Sequence, residues 1–178
     1  MSEVPALYPV VRVIFWTLFN VFFHVEVVGA ENMTSDGQPT ILCANHSNSL
    51  TDGIAVVATA PRSKRKMVRL TAKDTFWKRN DPFRRGHFRR FTSSATDSIL
   101  IRNVGTVPIK RRKDYGGQKV DNTESMKAII ECVEKGDCVG MFPEGISRYH
   151  PRMAPLRTGV AMIANDVGGE KKLSLGTS

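Results

Sequence analysis

The sequence predicts a single α/β domain, because short apolar strands alternate with helical segments along most of the chain. At 178 residues the chain has the length of one domain and can bury roughly two thirds of its unfolded surface. Its apolar fraction of 41% excludes wholesale disorder. Two polar blocks, each placed directly after an apolar run, indicate where the function is carried.

Residues 6–28 form a largely apolar segment. Its uninterrupted core, Val13–Phe23, is about 11 residues long and falls short of the roughly 20 needed to span hydrocarbon. Arg12 at its head and the aromatic and leucine side chains inside are typical of a helix that lies in a membrane interface. A transmembrane or re-entrant segment and a plain core helix are alternatives, whereas a signal peptide would need a cationic start and a cleavage site. We therefore expect a membrane-associated segment over 1–28 and a separate domain over 29–178.

Five short runs of apolar or alternating residues are predicted strands. They cover residues 24–28, 40–44, 66–72, 106–109 and 137–142. Pro108 has no backbone N–H to give to a ladder, so the fourth run is predicted to be an edge or terminal strand.

Four helices are predicted in the domain. They cover residues 52–60, 92–103, 121–136 and 158–165. The third has the clearest signals, because Asp121 is a natural N-cap, Glu124 completes a pair resembling a capping box, and Gly136 ends the apolar periodicity.

The charge and the cysteines indicate the partners and the compartment. Lysine and arginine number 26 against 17 acidic residues, and this formal charge of +9 favours an anionic partner: membrane surface, nucleic acid or a phosphate-bearing substrate. The three cysteines contain no C-x-x-C pair. A reducing compartment is predicted, with neither a disulfide framework nor a zinc site, and no metal is expected.

His46 stands where the strand at 40–44 is followed by the helix at 52–60. A histidine at that junction can be held at the mouth of an α/β sheet with one ring nitrogen free. Asp52 can accept a hydrogen bond from the other nitrogen, which fixes the tautomer and raises the basicity of the free one. The pair therefore predicts a general base for a hydroxyl group. A second block, Phe142–Arg148, also directly follows an apolar run.

Four blocks in this order resemble the glycerolipid acyltransferase family. Its bacterial members acylate lysophosphatidate, and relatives acylate glycerol 3-phosphate or dihydroxyacetone phosphate. The blocks are Asn45–Asp52, Gly105–Arg111, Phe142–Arg148 and Leu156–Ala161, and the resemblance covers about residues 15–165. The fold it implies is a mixed central sheet flanked by helices, with a membrane-associated N-terminal helix.

The resemblance also implies roles for individual residues. His46 matches the family's catalytic base and Asp52 its orienting acid. The remaining matches are implied to bind the acyl acceptor: Gly105, Arg111, Glu144, Gly145 and Arg148.

The chain departs from the family pattern in two places. Five residues separate His46 from Asp52, where four are usual, and this version is typical of the branch nearer the glycerol 3-phosphate and dihydroxyacetone phosphate enzymes. A further block of the family, an apolar strand ending in proline, should follow these four but has no match after residue 165. The C-terminal part of the domain is therefore expected to be missing from this chain, or the protein is a truncated relative.

The predicted reaction moves a fatty acyl group from acyl-CoA to the hydroxyl of glycerol 3-phosphate or dihydroxyacetone phosphate, with lysophosphatidate as the alternative acceptor. His46 supplies the base, turn amides stabilise the oxyanion, and Arg111 and Arg148 bind phosphate. Direct transfer is favoured over an acyl-enzyme because no G-x-S-x-G motif is present. Acyl-CoA is a co-substrate, and no permanently bound cofactor is expected.

Two basic clusters, at 62–69 and 83–91, remain to be explained. The second alternates arginine with phenylalanine, which taken alone is typical of nucleic-acid or membrane-surface binding. The apolar N-terminus favours lipid headgroups or the phosphates of coenzyme A, and nucleic acid is an unlikely partner. We expect membrane association with the active site facing the cytosol, at the endoplasmic reticulum in a eukaryote. The alternative of another class is an inactive basic protein that binds membrane surfaces or nucleic acid.

Overall fold

The computed structural model describes residues 2–74, 105–110, 112–149 and 152–168. Four helices lie in these ranges: α1 (Tyr8–Phe22), α2 (Leu50–Thr59), α3 (Thr123–Glu134) and α4 (Gly159–Gly168). The strands there are β1 (Thr40–Cys43), β2 (Val68–Lys73), β3 (Val107–Ile109) and β4 (Cys138–Met141). Short 3₁₀ turns lie at Ala30–Asn32 and Arg112–Tyr115. The predicted helix at 92–103, the basic cluster at 83–91 and Arg111 lie outside the described residues.

The sheet has the strand order β1-β4-β2-β3, and all its pairs in the described ranges are parallel. The expectation of a mixed sheet is wrong for these strands. The physical reason is that helices α2 and α3 lie between successive strands and return the chain to the starting edge of the sheet. β3 is an edge strand, as Pro108 predicts.

The predicted strand at 24–28 is also wrong. The residues after α1 are not part of the sheet, and Val27 and Val28 are 48% and 85% exposed. Alternation along a segment is consistent with an extended backbone, but a strand also needs a partner to pair with.

The predicted N-cap of α3, Asp121, is one residue early. Asn122 occupies the N-cap position, and Asp121 instead accepts hydrogen bonds from Thr123.

Helices cover both faces of the sheet. α3 and α4 pack on one face, where Val139 and Met141 of β4 join the buried side chains of these helices. Cys138 of β4 points to the opposite face, against Val68 and the end of α2. Since β4 is buried along its whole length, the chain is built as three layers around it.

Helix α1 is fixed to the domain by polar as well as apolar contacts. The buried Tyr8 hydroxyl accepts the Val68 N–H at 2.9 Å and donates to the Val68 carbonyl at 3.3 Å. The Arg12 guanidinium, 4% exposed, donates to the carbonyl oxygens of Arg65 and Ala60. Arg12 therefore points into the protein and does not serve as the interfacial head group that the sequence suggests.

The opposite side of α1 is apolar and exposed. Val21 and Phe22 are 71% and 75% exposed. Among the helices of the described ranges, none combines the length and the hydropathy of a membrane span. The predicted membrane association of this segment is thus not confirmed by the fold.

A second buried arginine holds the segments that precede β1 and β4. Arg65 is 1% exposed and donates to the carbonyl oxygens of Thr34, Gln38 and Gly136. The Gly136 carbonyl lies just beyond the C-terminus of α3, where the helix dipole favours a cation. Carbonyl oxygens thereby replace a carboxylate as the counter-charge for this buried guanidinium.

Asp137 forms an ion pair with Arg69 at the amino end of β4. Its Oδ2 accepts the Arg69 Nε–H at 2.9 Å, and its Oδ1 accepts the Ser2 N–H at 2.9 Å. Burial by itself raises the pKa of Asp137, but the hydrogen bonds from Ser2 and Arg69 and the charge of Arg69 outweigh it, so the pKa is lowered.

We predict that Asp137→Asn lowers the free energy of unfolding by about 2 kcal/mol at pH 7, the usual value of hydrogen bonds to a charged group. Because the pKa of Asp137 is lower in the folded than in the unfolded state, its contribution is complete above the ordinary value of about 3.9. It is lost as the pH falls through the lower folded value. Urea denaturation at stepped pH values should therefore show the two proteins converging in acid. Asp166→Asn, on an exposed face of α4, is the control, and a pH-independent difference would contradict the assignment.

Candidate active site

The Asn45–Asp52 block and the Phe142–Arg148 block meet because β1 and β4 are neighbouring parallel strands. Cys43 pairs with Met141 at the carboxyl ends of these strands, and the Ala44 N–H continues the pairing to the Met141 carbonyl at 3.1 Å. The turn after β1 and the loop after β4 therefore leave the sheet side by side. In open parallel sheets this edge is the usual place for a binding site.

The turn after β1 places His46 against Asp52 of α2. His46 Nδ1 lies 2.9 Å from Asp52 Oδ2, which also accepts the Asn48 N–H at 2.8 Å. Both side chains are 16% exposed. With a carboxylate as partner, the neutral imidazole holds its proton on Nδ1, and Nε2 carries the lone pair. The structure thus brings the predicted base and acid within hydrogen-bond distance of each other.

An aromatic contact fixes the plane of the imidazole. The ring of Phe142 stacks on that of His46 with centroids 4.2 Å apart and planes 18° apart. Sequence reasoning quoted Phe142 within its block and gave it no role. Its position directly after the buried strand was the available signal.

Glu144 lies beneath the turn that carries His46. It is 5% exposed; its Oε1 accepts the His46 N–H at 2.8 Å and its Oε2 accepts the Ala154 N–H at 3.0 Å. These two backbone hydrogen bonds lower the pKa of Glu144, so the carboxylate is held ionised. The side chain predicted to contact the acceptor is turned towards the protein backbone.

Two further hydrogen bonds join the turn to the loop after β4. The Arg148 N–H donates to the His46 carbonyl at 3.2 Å, and the Ser49 N–H donates to Ser147 Oγ at 2.8 Å. Ser49 has a φ of 56°, and among the described residues it alone has a positive φ without being glycine. A strained turn beside a candidate catalytic residue is a recurrent feature of active sites. Neither serine was predicted as part of the site.

Comparison with known proteins identifies the family. The model of the family described as "Acyltransferase" matches residues 24–171. The chain belongs to the acyltransferase family.

Two curated proteins resemble short segments of this chain. "Glycerol-3-phosphate O-acyltransferase 2" of Saccharomyces cerevisiae is 40% identical over 47 residues, which are 26% of this chain and 6% of the yeast protein. An uncharacterized acyltransferase of Schizosaccharomyces pombe is 39% identical over 46 residues, or 26% of this chain and 7% of that protein. The matched segments are thus a small part of both relatives. No solved structure matches the chain.

Arg148 and Arg157 are exposed arginines on the loop after β4. Gly145 has a φ of 67°, and a Cβ built on it would overlap Nε of Arg157 and lie 2.7 Å from its Cδ. The Arg157 N–H donates to the Pro143 carbonyl at 2.8 Å, which keeps its side chain across the glycine. Within the described residues, the guanidinium groups of Arg157 and Arg148 have no hydrogen-bond acceptor. Arg157 lies in the Leu156–Ala161 block, but the sequence predicted no function for it.

The structure does not bring Gly105 to this site. Gly105 precedes β3, and its carbonyl accepts the Arg69 Nη1–H at 3.2 Å beside the Asp137 ion pair. Because the strands are parallel, the amino end of β3 and the carboxyl end of β1 lie at opposite ends of the strands. Its φ of 68° and the nearby Arg69 side chain explain a glycine here on structural grounds. Arg111 lies outside the described residues, so its predicted contact stays a prediction.

We predict that Gly145→Ala destabilises the protein more than Gly116→Ala does. Both glycines have a similar positive φ, 67° and 63°, so each alanine incurs the backbone cost of about 1–2 kcal/mol. Around Gly116, however, an added Cβ meets nothing within 4 Å, whereas at Gly145 it must displace Arg157.

The measurement is urea denaturation of the two variants and of each in an Arg157→Ala background. Removing the arginine should abolish the extra cost at Gly145 and leave the cost at Gly116 unchanged. Equal costs in the wild-type background would show that the arginine side chain does not lie across the glycine.

Proposed function

We propose that this acyltransferase moves a fatty acyl group from acyl-CoA to the hydroxyl of a small phosphate-bearing acceptor. Glycerol 3-phosphate or dihydroxyacetone phosphate is the first choice, and lysophosphatidate the second. The observation that carries the proposal is the hydrogen-bonded pair His46–Asp52 at the sheet edge of a chain that belongs to the acyltransferase family.

In the proposed reaction, His46 Nε2 takes the proton of the acceptor hydroxyl as its oxygen attacks the thioester carbonyl carbon. The new C–O bond forms a tetrahedral intermediate, and the C–S bond then breaks. The imidazolium returns the proton to the departing sulfur, so coenzyme A leaves as a thiol. Asp52 holds the required tautomer and stabilises the positive charge on the ring between these steps.

The oxyanion of the intermediate needs hydrogen-bond donors near His46. Helix α2 begins at Leu50, directly after the strained Ser49, and in the described residues no side chain caps its N-terminus. Its first backbone N–H groups and its dipole are therefore suited to a developing negative charge. This fits the role that the sequence suggests for the amides of the strand-to-helix turn.

The acceptor phosphate is proposed to bind Arg148, with Arg157 as a further cation and Arg111 as the sequence predicts. An arginine fork can bind two phosphate oxygens at once. Gly145 contributes by leaving room for Arg157 rather than by touching the acceptor. Two observations support this choice of acceptor: the five-residue spacing between His46 and Asp52, and the resemblance to a yeast protein named as a glycerol-3-phosphate acyltransferase.

The exposed apolar side of α1 is proposed to lie on a membrane surface facing the cytosol. Both the acyl chain of the donor and the lipid product partition into such a surface. The net charge of +9 would strengthen binding to anionic lipids.

We predict that His46→Ala lowers acceptor-dependent release of free thiol from palmitoyl-CoA by about 10²–10⁴-fold, the usual contribution of a general base. Glycerol 3-phosphate, dihydroxyacetone phosphate and lysophosphatidate are offered in turn in the presence of liposomes. His24→Ala, which alters an exposed histidine after α1, should leave the rate unchanged. Full activity of a folded His46→Ala variant would exclude the base. No thiol release from folded wild-type protein would favour the inactive basic surface-binding alternative.

We also predict that replacing Val21 and Phe22 together by serine weakens co-flotation with liposomes of phosphatidylcholine and phosphatidylserine. Fully burying side chains of this kind is worth about 1.5–3 kcal/mol each, so the partition coefficient should fall at least tenfold. The matched control is Met162→Ser, which removes an exposed apolar side chain from α4 on the other face of the sheet. Equal flotation of all three proteins would show that α1 is not the membrane-binding surface.

A further inference from the structure

The loop after β4 holds the backbone of the turn that carries His46. Three hydrogen bonds join the two segments: His46 N–H to Glu144, Arg148 N–H to the His46 carbonyl, and Ser49 N–H to Ser147. In two of them a side chain of the loop accepts a backbone N–H of the turn, across 98 residues of sequence. The loop therefore supplies polar groups that the turn cannot supply for itself.

Glu144 is the centre of this arrangement because each of its oxygens serves a different segment. Oε1 accepts the His46 N–H and Oε2 accepts the Ala154 N–H, so the carboxylate joins the turn to the buried residue where the loop ends. Without it, two backbone N–H groups would be left unpaired inside the protein. A buried N–H group that loses its acceptor is destabilising.

We propose that Glu144 is a positioning residue, which fixes the backbone at His46, and that it does not contact the acyl acceptor. The link to catalysis depends on the proposed function, in which His46 is the base. A carboxylate that is 5% exposed and already accepts two N–H groups presents little surface to a substrate. An acceptor phosphate would moreover be repelled by it.

The chemistry of the two N–H groups explains why a glutamate is required. A glutamine has one acceptor oxygen, and its NH₂ group would face the second backbone N–H, donor against donor. An aspartate keeps both oxygens and the charge but is one methylene shorter, so it cannot reach both segments at once. Displacement of a reacting group by about 1 Å is enough to slow a reaction by about 10²-fold.

The bond pattern also determines how the link responds to acid. Since the two N–H groups favour the ionised carboxylate, the pKa of Glu144 lies below its ordinary value. The link is complete above the ordinary glutamate pKa and breaks only as the pH falls through the lower folded value.

The test compares Glu144→Gln and Glu144→Asp with the wild-type chain, and Glu131→Gln, an exposed acid on α3, is the control. We expect kcat to fall by about 10²-fold in both Glu144 variants, with little change in the KM for the acceptor. In ¹H–¹⁵N spectra of the imidazole, the Nδ1–H signal that reports the bond to Asp52 should broaden or disappear. Glu131→Gln should match wild type in both respects.

A higher KM for the acceptor at unchanged kcat, with unaltered imidazole signals, would overturn the proposal and assign Glu144 to the acceptor. A second measurement uses wild-type protein alone, so it does not depend on whether a variant folds. The ¹³Cδ signal of Glu144 is followed while glycerol 3-phosphate is added to saturation. We expect no shift of that signal, whereas a saturable shift would indicate direct contact. If the wild-type chain transfers no acyl group, the proposed function fails, yet the imidazole spectra still decide whether Glu144 positions His46.

Discussion

The parallel pairing of β1 with β4 is the constraint on which the rest of the site depends. His46 and the Phe142–Arg148 block are almost one hundred residues apart in sequence, and neither forms a site alone. Because the two strands run in the same direction in neighbouring positions, their carboxyl ends deliver both segments to one edge. The ladder then continues from Met141 into the turn, so the turn that carries His46 begins as an extension of the sheet.

Buried charges near the amino ends of the strands stabilise this sheet. Arg65 and Arg12 donate to carbonyl oxygens that belong to loops and helix ends, and Arg69 pairs with Asp137. A buried charge that lost its partners would be costly, so these contacts specify how the loops and helices are placed on the sheet. The stabilising charges and the candidate active site therefore occupy opposite ends of the same strands. This separation leaves the site edge free to carry strained backbone such as that of Ser49.

Much of the fold could be predicted because the signals are local. Apolar runs and helical periodicity located all four strands and all four helices in the described residues, and Pro108 correctly predicted an edge strand. The strand at 24–28 failed because pairing depends on a neighbour that no local pattern reveals. The mixed sheet, which the family resemblance implies, is wrong for the described strands, because strand direction is set by how the chain crosses between strands.

The candidate site could be predicted only in part, for the same physical reason. The approach of Asp52 to His46 spans six residues and could be inferred from chemistry, whereas the contacts of Glu144 span 98 residues on one side. A carboxylate in a polar motif is equally compatible with binding a substrate and with binding buried N–H groups. Only the structure shows that both oxygens of Glu144 are turned inward.

Helix α1 shows how burial can reverse the meaning of a sequence pattern. The arginine before an apolar stretch resembles the cationic head of an interfacial helix, but Arg12 caps carbonyl oxygens inside the protein. Its charge is thus used to attach α1 to the domain. The side of the helix that remains exposed is apolar, so the proposed contact with lipid would use a different side of α1 from the attachment to the protein. A helix fixed in this way would bring the whole sheet, and the site at its edge, to a defined height above a membrane surface.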